Sequence, residues 1–365
     1  MGKRVIRIAL FALLFGLLIS IQKARGANEA ISVLAQPGGS LPAAPADPII
    51  NPQPVSTLLP PGTTTLTLTV QSTVNTVCRY AVGEAKPLAA MTLFEKDSGA
   101  INHQASVRGL NPDPNTVNEV YVRCASAPDF VLHLRYRSLS PANPAYPRTG
   151  NLWGSAQYID KAPADIARID LWLGPDFKPD QIRSLRQINP HIRILTSMNA
   201  IEDKNLPDDY YLKDIHGNKI EVWPGYYRLN LTKPYVAEYQ AQRAYTLILN
   251  SDLMFDGIFL DNVMTTQSWQ TKDIYGNPFL VDANEDGLQD DETTFDAAWA
   301  AGVFHEIKTL RALMPNAIIT GHSLNIAEPG VGELFNGISM GFWPAKVLED
   351  QMLFNNVWDT YTAWH

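Results

Sequence analysis

The sequence predicts an α/β protein in which a (β/α)8-type TIM barrel follows a small all-β sandwich. Hydrophobic residues make up 45% of the 365-residue chain and charged residues 18%, so the chain can bury a sizeable core. Short β-rich runs separated by turn residues fill residues 56–138 and predict the sandwich. From residue 150 to the end, strand-like and amphipathic helical segments alternate, which is typical of a parallel sheet covered by helices.

The charge balance and the cysteine count exclude several classes of protein. The formal net charge is −8, and no run of five or more basic residues occurs. Nucleic acid and anionic membrane surfaces are therefore not the expected partners. Two cysteines are too few for a disulfide-dense scaffold or for a zinc site made of four cysteines.

The first 26 residues have the pattern of a secretory signal peptide. A basic start at residues 3–7 precedes an apolar run over residues 8–21, and Ala24 and Gly26 offer small side chains at a cleavage site. An uncleaved N-terminal anchor is the alternative. We expect a secreted protein, extracellular or periplasmic, with no membrane span after the signal is removed.

The next two segments are a linker and the sandwich. Residues 27–55 are rich in Pro, Ala, Ser and Gly and read as a linker, and residues 56–138 alternate with the period of half-buried strands. In an oxidising compartment, Cys78 and Cys124 can pair as a disulfide, and two free buried thiols are the alternative.

One stretch of this region resembles a known module. Val107-Arg-Gly-Leu-Asn-Pro112, followed by Val120-Tyr-Val-Arg-Cys124, is similar to the late strands of a fibronectin type III domain. The resemblance implies a spacer or accessory module that needs no ligand.

The region from 150 to 365 carries six candidate strands with amphipathic stretches between them. No Gly-rich phosphate loop follows any of them, which argues against nucleotide-binding forms of a doubly wound sheet, the alternative to a barrel. A complete barrel has eight strands, so we expect a C-terminally truncated barrel unless two strands escape detection. The candidate strands are Leu152–Gln157, Ile166–Leu173, Ile192–Met198, Gly257–Asn262, Ala317–Gly321 and Gly337–Phe342. The main candidate helices are Pro179–Ile188, Pro234–Leu249 and Phe295–Leu313.

The sharpest motif is Phe255-Asp-Gly-Ile-Phe-Leu-Asp-Asn-Val263. Its apolar centre predicts a strand buried on both faces, with Asp261 and Asn262 at the carboxyl end. Barrel enzymes build their active sites at that end of the strands. A carboxylate there can serve as nucleophile, general base or electrostatic partner of an oxocarbenium-like transition state. The alternative is an aspartate that caps the next helix.

This motif resembles the fourth strand of bacterial extracellular glycoside-hydrolase-like barrels, the endo-α-1,4-polygalactosaminidase group (glycoside hydrolase family 114). Residues 223–234 are similar to the loop and helix start that precede the strand. Residues 298–302, 310–311 and 314–316 are similar to the helix before the fifth strand. The resemblance covers roughly residues 150–345. It implies a secreted enzyme that acts on a polysaccharide or oligosaccharide, with Asp261 as nucleophile.

Glycoside hydrolysis usually requires a second carboxyl group. Glu328 is the first candidate for the general acid and Glu333 the second, and a solvated loop carboxylate is the alternative for each. Relatives often carry an acidic residue near position 340, where this chain has Met340.

Polar and aromatic residues near the predicted strand ends are candidates for sugar binding. Polar side chains would bond sugar hydroxyls, and aromatic faces would stack on a pyranose. The alternatives are the satisfaction of buried backbone groups for the polar residues and core packing for the aromatic ones. The candidates are Asp170, Trp172, Asn199, Trp223, Tyr227, Asn262, His322, Asn325 and Trp343.

An acidic segment after the Asp261 strand follows the plan of a calcium-binding loop. Oxygen ligands stand at positions one, three, five and nine, with Gly287 at six, and Thr293 replaces the acidic ligand of position twelve. The expected ligands are Asp282, Asn284, Asp286 and Asp290. This segment is predicted either to bind a structural calcium ion or to be an acidic surface loop without metal.

Taken as a whole, the sequence predicts a glycosidase that requires no cofactor. A non-catalytic carbohydrate-binding barrel is the first alternative, and a surface adhesion module is the second.

Overall fold

The computed structural model describes residues 48–96, 100–145, 149–154, 156–322 and 331–339. The predicted signal peptide, most of the predicted linker and residues 340–365 lie outside these residues. From residue 48 onward the described residues form one compact unit. No helix among them is long and apolar enough to cross a membrane.

Strands β1 to β8 form two sheets around a shared core. Leu68 and Val107 from one sheet meet Val120 and Tyr136 from the other, and all four are buried. The alternation of buried and exposed residues along these strands is the pattern that predicted the sandwich. One sheet contains β1 (Ile49–Gln53), β3 (Thr65–Ser72) and β6 (Asn102–Arg108). The other contains β2 (Thr57–Leu59), β8 (Ala127–Ser138), β7 (Asn118–Cys124), β4 (Cys78–Val82) and β5 (Thr92–Leu93).

Two details of this β-rich region test the sequence predictions. Cys78 and Cys124 are direct partners in the register of β4 and β7, and a disulfide joins them as predicted. The predicted linker extended to residue 55, whereas β1 covers Ile49–Gln53. Because residues 27–55 are rich in Pro and Gly, the sequence did not indicate the short edge strand at their end.

The region after residue 149 contains a six-stranded parallel sheet whose spatial order is the order of the strands in the chain. Its strands are β9 (Gly150–Leu152), β10 (Leu171–Leu173), β11 (Arg193–Asn199), β16 (Gly257–Asp261), β18 (Ile318–Gly321) and β19 (Gly337–Ile338). A doubly wound sheet would reverse its strand order at a switch point. This order therefore agrees with the first six strands of a barrel. A closed eight-stranded barrel is not seen within the described residues.

The helices begin and end close to the predicted positions because their start signals are strong. Pro179 and Pro234 occupy first-turn positions, where a missing N–H costs nothing, and the Asp291 side chain accepts a hydrogen bond from the Thr294 amide. The helices are α1 (Ala156–Ile159), α2 (Pro163–Ile166), α3 (Pro179–Ile188), α4 (Pro234–Asn250), α5 (Glu292–Leu313) and α6 (Val331–Leu334).

Strand β16 lies at the centre of this region. Ile258 and Leu260 pack with residues of α4 and α5 in one core, so these two side chains point toward the helices. Phe259 and Asp261 therefore point to the opposite, inner face, because side chains alternate along a strand. Gly257 is required by packing, since a Cβ there would lie 1.9 Å from the Ile318 carbonyl oxygen on β18.

The sequence did not predict the small strands that follow β11. β12 (Glu202–Asp203), β15 (Tyr226–Arg228) and β14 (Glu221–Trp223) form an antiparallel sheet between β11 and α4. β13 (Lys213–Asp214) pairs with β17 (Val281–Asp282), which lies in the long connection from β16 to α5. The two long connections are thereby joined.

A buried ion cluster joins the β-rich region to the parallel sheet. Asp256, just before β16, accepts bonds from Arg137 on β8 at 2.8 Å and from Arg186 on α3 at 2.9 Å. All three side chains are completely buried. Tyr245 on α4 also donates to the Ser56 carbonyl at 3.0 Å. These contacts are more extensive than a spacer module would need.

Candidate active site

The inner face of the parallel sheet gathers polar side chains at its carboxyl edge. Asp261 ends β16, and its direct register partner on β11 is Asn199. His322 follows β18 and donates its amide to the Leu260 carbonyl at 3.0 Å, which places it beside the end of β16. The sequence predicts these residues at one edge, because the carboxyl ends of parallel strands lie at the same edge of a sheet.

Asp261 and His322 form a side-chain pair. Nδ1 of His322 lies 3.2 Å from Oδ1 of Asp261, and the two side chains are 34% and 32% exposed. The Asn262 amide donates to the same oxygen at 3.1 Å. Asn262 has a φ of 57°, a left-handed conformation that asparagine adopts more readily than most residues. The turn after β16 thus fixes the Asp261 carboxylate while leaving it accessible to solvent.

Asn199 is used by the protein itself. Its Oδ1 accepts from the Ile201 amide at 3.0 Å, and its Nδ2 donates to Glu202 at 2.9 Å. These contacts favour the alternative that Asn199 builds the turn after β11. They do not favour a direct bond from this side chain to a sugar.

Glu202 is a carboxyl group of the site that no sequence pattern indicated. Arg228 donates to its Oε1 at 2.9 Å, Asn199 donates to its Oε2, and Trp223 forms a further side-chain hydrogen bond with it. The side chain is 5% exposed. Burial raises the pKa of Glu202, the Arg228 charge opposes that rise, and the nearby Asp261 charge adds to it.

The contacts of Glu202 define its chemistry. Three donors around one carboxylate, one of them cationic, favour the anion. Burial outweighs these donors, so the pKa of Glu202 still lies above its ordinary value. The same contacts hold the side chain in one position, which suits it to orienting its neighbours. The missed signal was its position three residues after the end of β11, together with the arginine on β15 that pairs with it.

The two aromatic residues predicted on the small sheet have different environments. Trp223 bonds Glu202, and its side chain is nevertheless 44% exposed. Tyr227 lies edge-on to Tyr211 with ring centroids 5.4 Å apart, and the Lys219 ammonium lies 4.7 Å from its ring centroid. Trp223 therefore fits the sugar-binding prediction, whereas Tyr227 fits the packing alternative.

Two predicted sugar-binding residues lie away from this site, and the structure corrects both. β10 begins at Leu171, so Asp170 precedes the strand, where it accepts from the Thr149 amide at 2.8 Å. It stands level with residue 192, seven residues before Asn199, or roughly 23 Å along the sheet. Trp172 is 3% exposed and packs with Phe177 on the helix side.

Of the two candidates for the general acid, only Glu333 lies within the described residues. Glu333 is exposed on α6, and the adjacent Leu334 carbonyl accepts a 2.6 Å bond from Arg311, which also bonds the Ala317 carbonyl just before β18. This location is on the amino side of the sheet, away from Asp261, and favours the solvated-loop alternative. The other predicted positions, Glu328, Asn325 and Trp343, together with Met340, lie outside the described residues.

The acidic loop uses its oxygens to bond its own backbone. Asp282 accepts from the Asp286 amide at 3.0 Å and from the Gly287 amide at 2.8 Å, and Asp290 accepts from the Ala283 amide. Among the residues that the structure describes, no three His, Cys, Asp or Glu side chains come together as a metal site would require. Calcium binding by the predicted set, Asp282, Asn284, Asp286 and Asp290, stays a prediction.

Comparison with known families gives one match. Residues 186–327 are similar to the family described as "Hypothetical glycosyl hydrolase family 15". The segment contains β11, β16, β18 and both side chains of the Asp261–His322 pair. The matched segment is less than half of the chain, and its similarity to a glycosyl hydrolase family agrees with the predicted enzyme class. The finer resemblances, to the polygalactosaminidase group and to fibronectin type III, stay predictions.

Solved structures give only distant likenesses. The GH36 α-galactosidase AgaA from Geobacillus stearothermophilus is 8% identical with a TM-score of 0.42, covering 80% of this chain and 46% of its own. An α-galactosidase from Lactobacillus brevis is 11% identical with a TM-score of 0.41, covering 82% and 48%. The GH2 β-galacturonidase from Eisenbergiella tayi is 8% identical with a TM-score of 0.37, covering 80% and 50%. The chain spans about half the length of these structures, and likenesses at this level carry no argument. No curated protein matches the chain.

Proposed function

We propose that the protein is a secreted glycosidase that cleaves glycosidic bonds of an extracellular polysaccharide by a two-carboxylate mechanism. The observation that carries this proposal is the Asp261–His322 pair, which lies on the inner face at the carboxyl edge of a parallel sheet. The match to a glycosyl hydrolase family over the same strands supports it.

In this proposal, Asp261 is the carboxylate that lies next to the anomeric carbon of the bound sugar. In a retaining reaction its carboxylate forms a covalent bond to that carbon while the leaving oxygen takes a proton from the acid. In an inverting reaction it instead removes a proton from the attacking water. In both reactions its negative charge stabilises the oxocarbenium-like transition state. The Asn262 amide and His322 hold one carboxylate oxygen and so orient the other toward the substrate.

The proton donor that we propose is Glu328, six residues after His322. Glu202 serves as a positioning residue that holds Trp223 and the turn after β11 in place. Loss of Glu328 would then abolish cleavage while leaving sugar binding intact.

The test is reducing-end release from bacterial exopolysaccharides, including galactosaminoglycans, by the wild-type protein and by Asp261→Asn. The matched control is Asp113→Asn, an exposed turn aspartate in the β-rich region. We expect the control to keep full activity and Asp261→Asn to lose at least about a thousandfold, as expected for a group needed in the transition state. Equal activity of all three proteins would contradict the proposal.

A carbohydrate-binding barrel without catalysis is the second candidate. The observation that favours it is that both oxygens of Glu202 are already bonded, by Arg228 and Asn199, and that Glu333 lies on the amino side. Its signature is sugar binding that is equal in the wild-type protein and in Asp261→Asn, with no reducing ends released by either.

Two finer proposals concern the rest of the chain. The β-rich region would be a fibronectin type III-like accessory module, and the acidic loop would hold a structural calcium ion. Calcium binding would raise the melting temperature of the protein treated with chelator, and Asp286→Asn would remove that increase.

A further inference from the structure

The inner face of the sheet continues beyond Asp261 toward the first strands. Phe259 is two residues before Asp261 on the same face, about 7 Å away along β16, and is 1% exposed. Ser197 on β11 is the direct register partner of Phe259. A sugar ring that contacts Asp261 therefore lies above these residues, and what covers them forms the opposite wall of its site.

That wall is the indole of Trp153. The Trp153 ring lies edge-on to Phe259 with ring centroids 5.7 Å apart. A Cβ built on Gly174 would lie 2.6 Å from the Trp153 ring and 2.9 Å from Ser197. The ring thus extends from the end of β9, across the glycine that follows β10, to the inner residues of β11 and β16.

The backbone of Trp153 is held in an unfavourable conformation. Its φ is 58°, a left-handed value that is rare for bulky residues. The Trp153 amide donates to the Leu173 carbonyl at 2.8 Å, which fixes this turn. Such strain persists only where the surroundings impose it, and it concentrates at functional sites. The strained residue is nevertheless 40% exposed, so burial of the indole does not explain its conformation.

We propose that Trp153 is the stacking platform for the sugar ring that contacts Asp261. This inference rests on the proposed function and adds the residue that selects the substrate. The indole would face the apolar side of a pyranose, so the site would favour sugars that present an unsubstituted C–H face toward β9 and reject those with axial hydroxyls or charged groups there. Gly174 serves this role because any side chain at that position would displace the indole.

The experiment measures sugar binding separately from cleavage. Binding of galactosamine oligosaccharides, with stachyose as a second probe, is measured by calorimetry and by tryptophan fluorescence in the Asp261→Asn background. Trp153→Asn removes the ring but suits the left-handed backbone, and Trp153→Phe keeps a smaller ring. The matched control is Trp172→Phe, whose ring packs on the helix side of the neighbouring strand.

We expect Trp153→Asn to weaken binding by about tenfold or more and Trp153→Phe by a smaller factor, because a large aromatic face is lost. Trp172→Phe should bind as the parent does. The fluorescence change on sugar binding should be smaller in Trp153→Phe than in the parent, and Gly174→Ala should weaken binding as well. Unchanged binding by Trp153→Asn would overturn the proposal.

The outcomes also separate this inference from the proposed function. Binding that depends on Trp153, with no reducing ends released by the wild-type protein, would leave the platform standing and exclude the glycosidase. Cleavage by the wild-type protein with unchanged binding in Trp153→Asn would do the reverse. If the wild-type protein bound no sugar of the panel, both proposals would be wrong.

Discussion

Strand β16 carries an aspartate at each end, and their surroundings differ completely. Asp256 precedes the strand, is completely buried, and accepts bonds from two arginines and from the Ile194 amide. Asp261 ends the strand, is about a third exposed, and is held by His322 and one backbone amide. Burial by itself would raise the pKa of Asp256, but Arg186 and Arg137 hold that pKa below its ordinary value. Full compensation by buried partners is typical of a structural carboxylate, whereas partial exposure at the carboxyl edge agrees with the role proposed for Asp261.

The largest expected effect is the loss of the buried cluster. Asp256→Asn leaves Arg137 and Arg186 buried without their anion, and we expect the free energy of unfolding to fall by about 3–5 kcal/mol. The measurement is urea unfolding. Asp252→Asn is the control, because Asp252 also pairs with two arginines, Arg135 and Arg183, but is 51% exposed. Its expected loss is about 1 kcal/mol or less, and equal losses in the two variants would contradict the comparison.

The next effect concerns Glu202. Glu202→Gln offers a single oxygen to three donors and leaves Arg228 without its counter-charge, so we expect unfolding to become easier by about 2–4 kcal/mol. The folded variant should also show a changed tryptophan emission, because Trp223 loses its partner. Glu221→Gln on the neighbouring β14 is the control, since Glu221 is half-exposed. An emission change of the same size in the control would argue against the assigned contacts.

The smallest effect is a pH dependence that arises between α4 and α5. Glu306 is completely buried, and burial raises its pKa well above the ordinary value, with Arg243 opposing the rise. The folded state therefore keeps a proton that the unfolded state loses. Above the ordinary carboxyl pKa, stability should fall as pH rises, with a slope of up to about 1.4 kcal/mol per pH unit, until the raised pKa is passed.

The variant Glu306→Gln tests this dependence, because it removes the titration and should be more stable than the wild-type protein at neutral pH. Glu238→Gln, on the exposed side of α4, should leave the pH profile unchanged. A wild-type stability that does not decrease over this pH range would show that Glu306 is not kept neutral.

The main elements of the fold could be predicted from local signals. Apolar runs bounded by turn residues marked β11, β16 and β18, and prolines in the first turn marked α3 and α4 within a residue. The short strands β12 to β15 were not predicted, because two or three residues are too few to show the alternation of buried and exposed side chains. Their pairing also depends on contacts between residues that are distant in sequence. β1 was not predicted because it lies at the end of a segment whose composition is that of a linker.

The position of a site residue could be predicted only where the strand was long enough to show which residue ends it and which face each side chain occupies. The five-residue β16 fixes the inner face and hence Asp261, whereas the three-residue β10 gave no such reference, so Asp170 and Trp172 were assigned to the wrong place. Glu202 and Trp153 were missed because their roles depend on an arginine and a glycine from other segments, Arg228 and Gly174, that no local pattern connects to them.

The most direct measurement is chemical rescue of Asp261→Ala. The wild-type protein and the variant are assayed for reducing-end release, and the variant is then assayed with sodium azide. Azide can attack the anomeric carbon in place of the missing carboxylate of a retaining enzyme or of the activated water of an inverting one. The account predicts that the variant is inactive, unfolds at the same urea concentration as the wild-type protein, and forms a glycosyl azide when azide is supplied. An Asp261→Ala protein that cleaves as fast as the wild-type protein without azide would contradict the assignment of Asp261 to the chemistry.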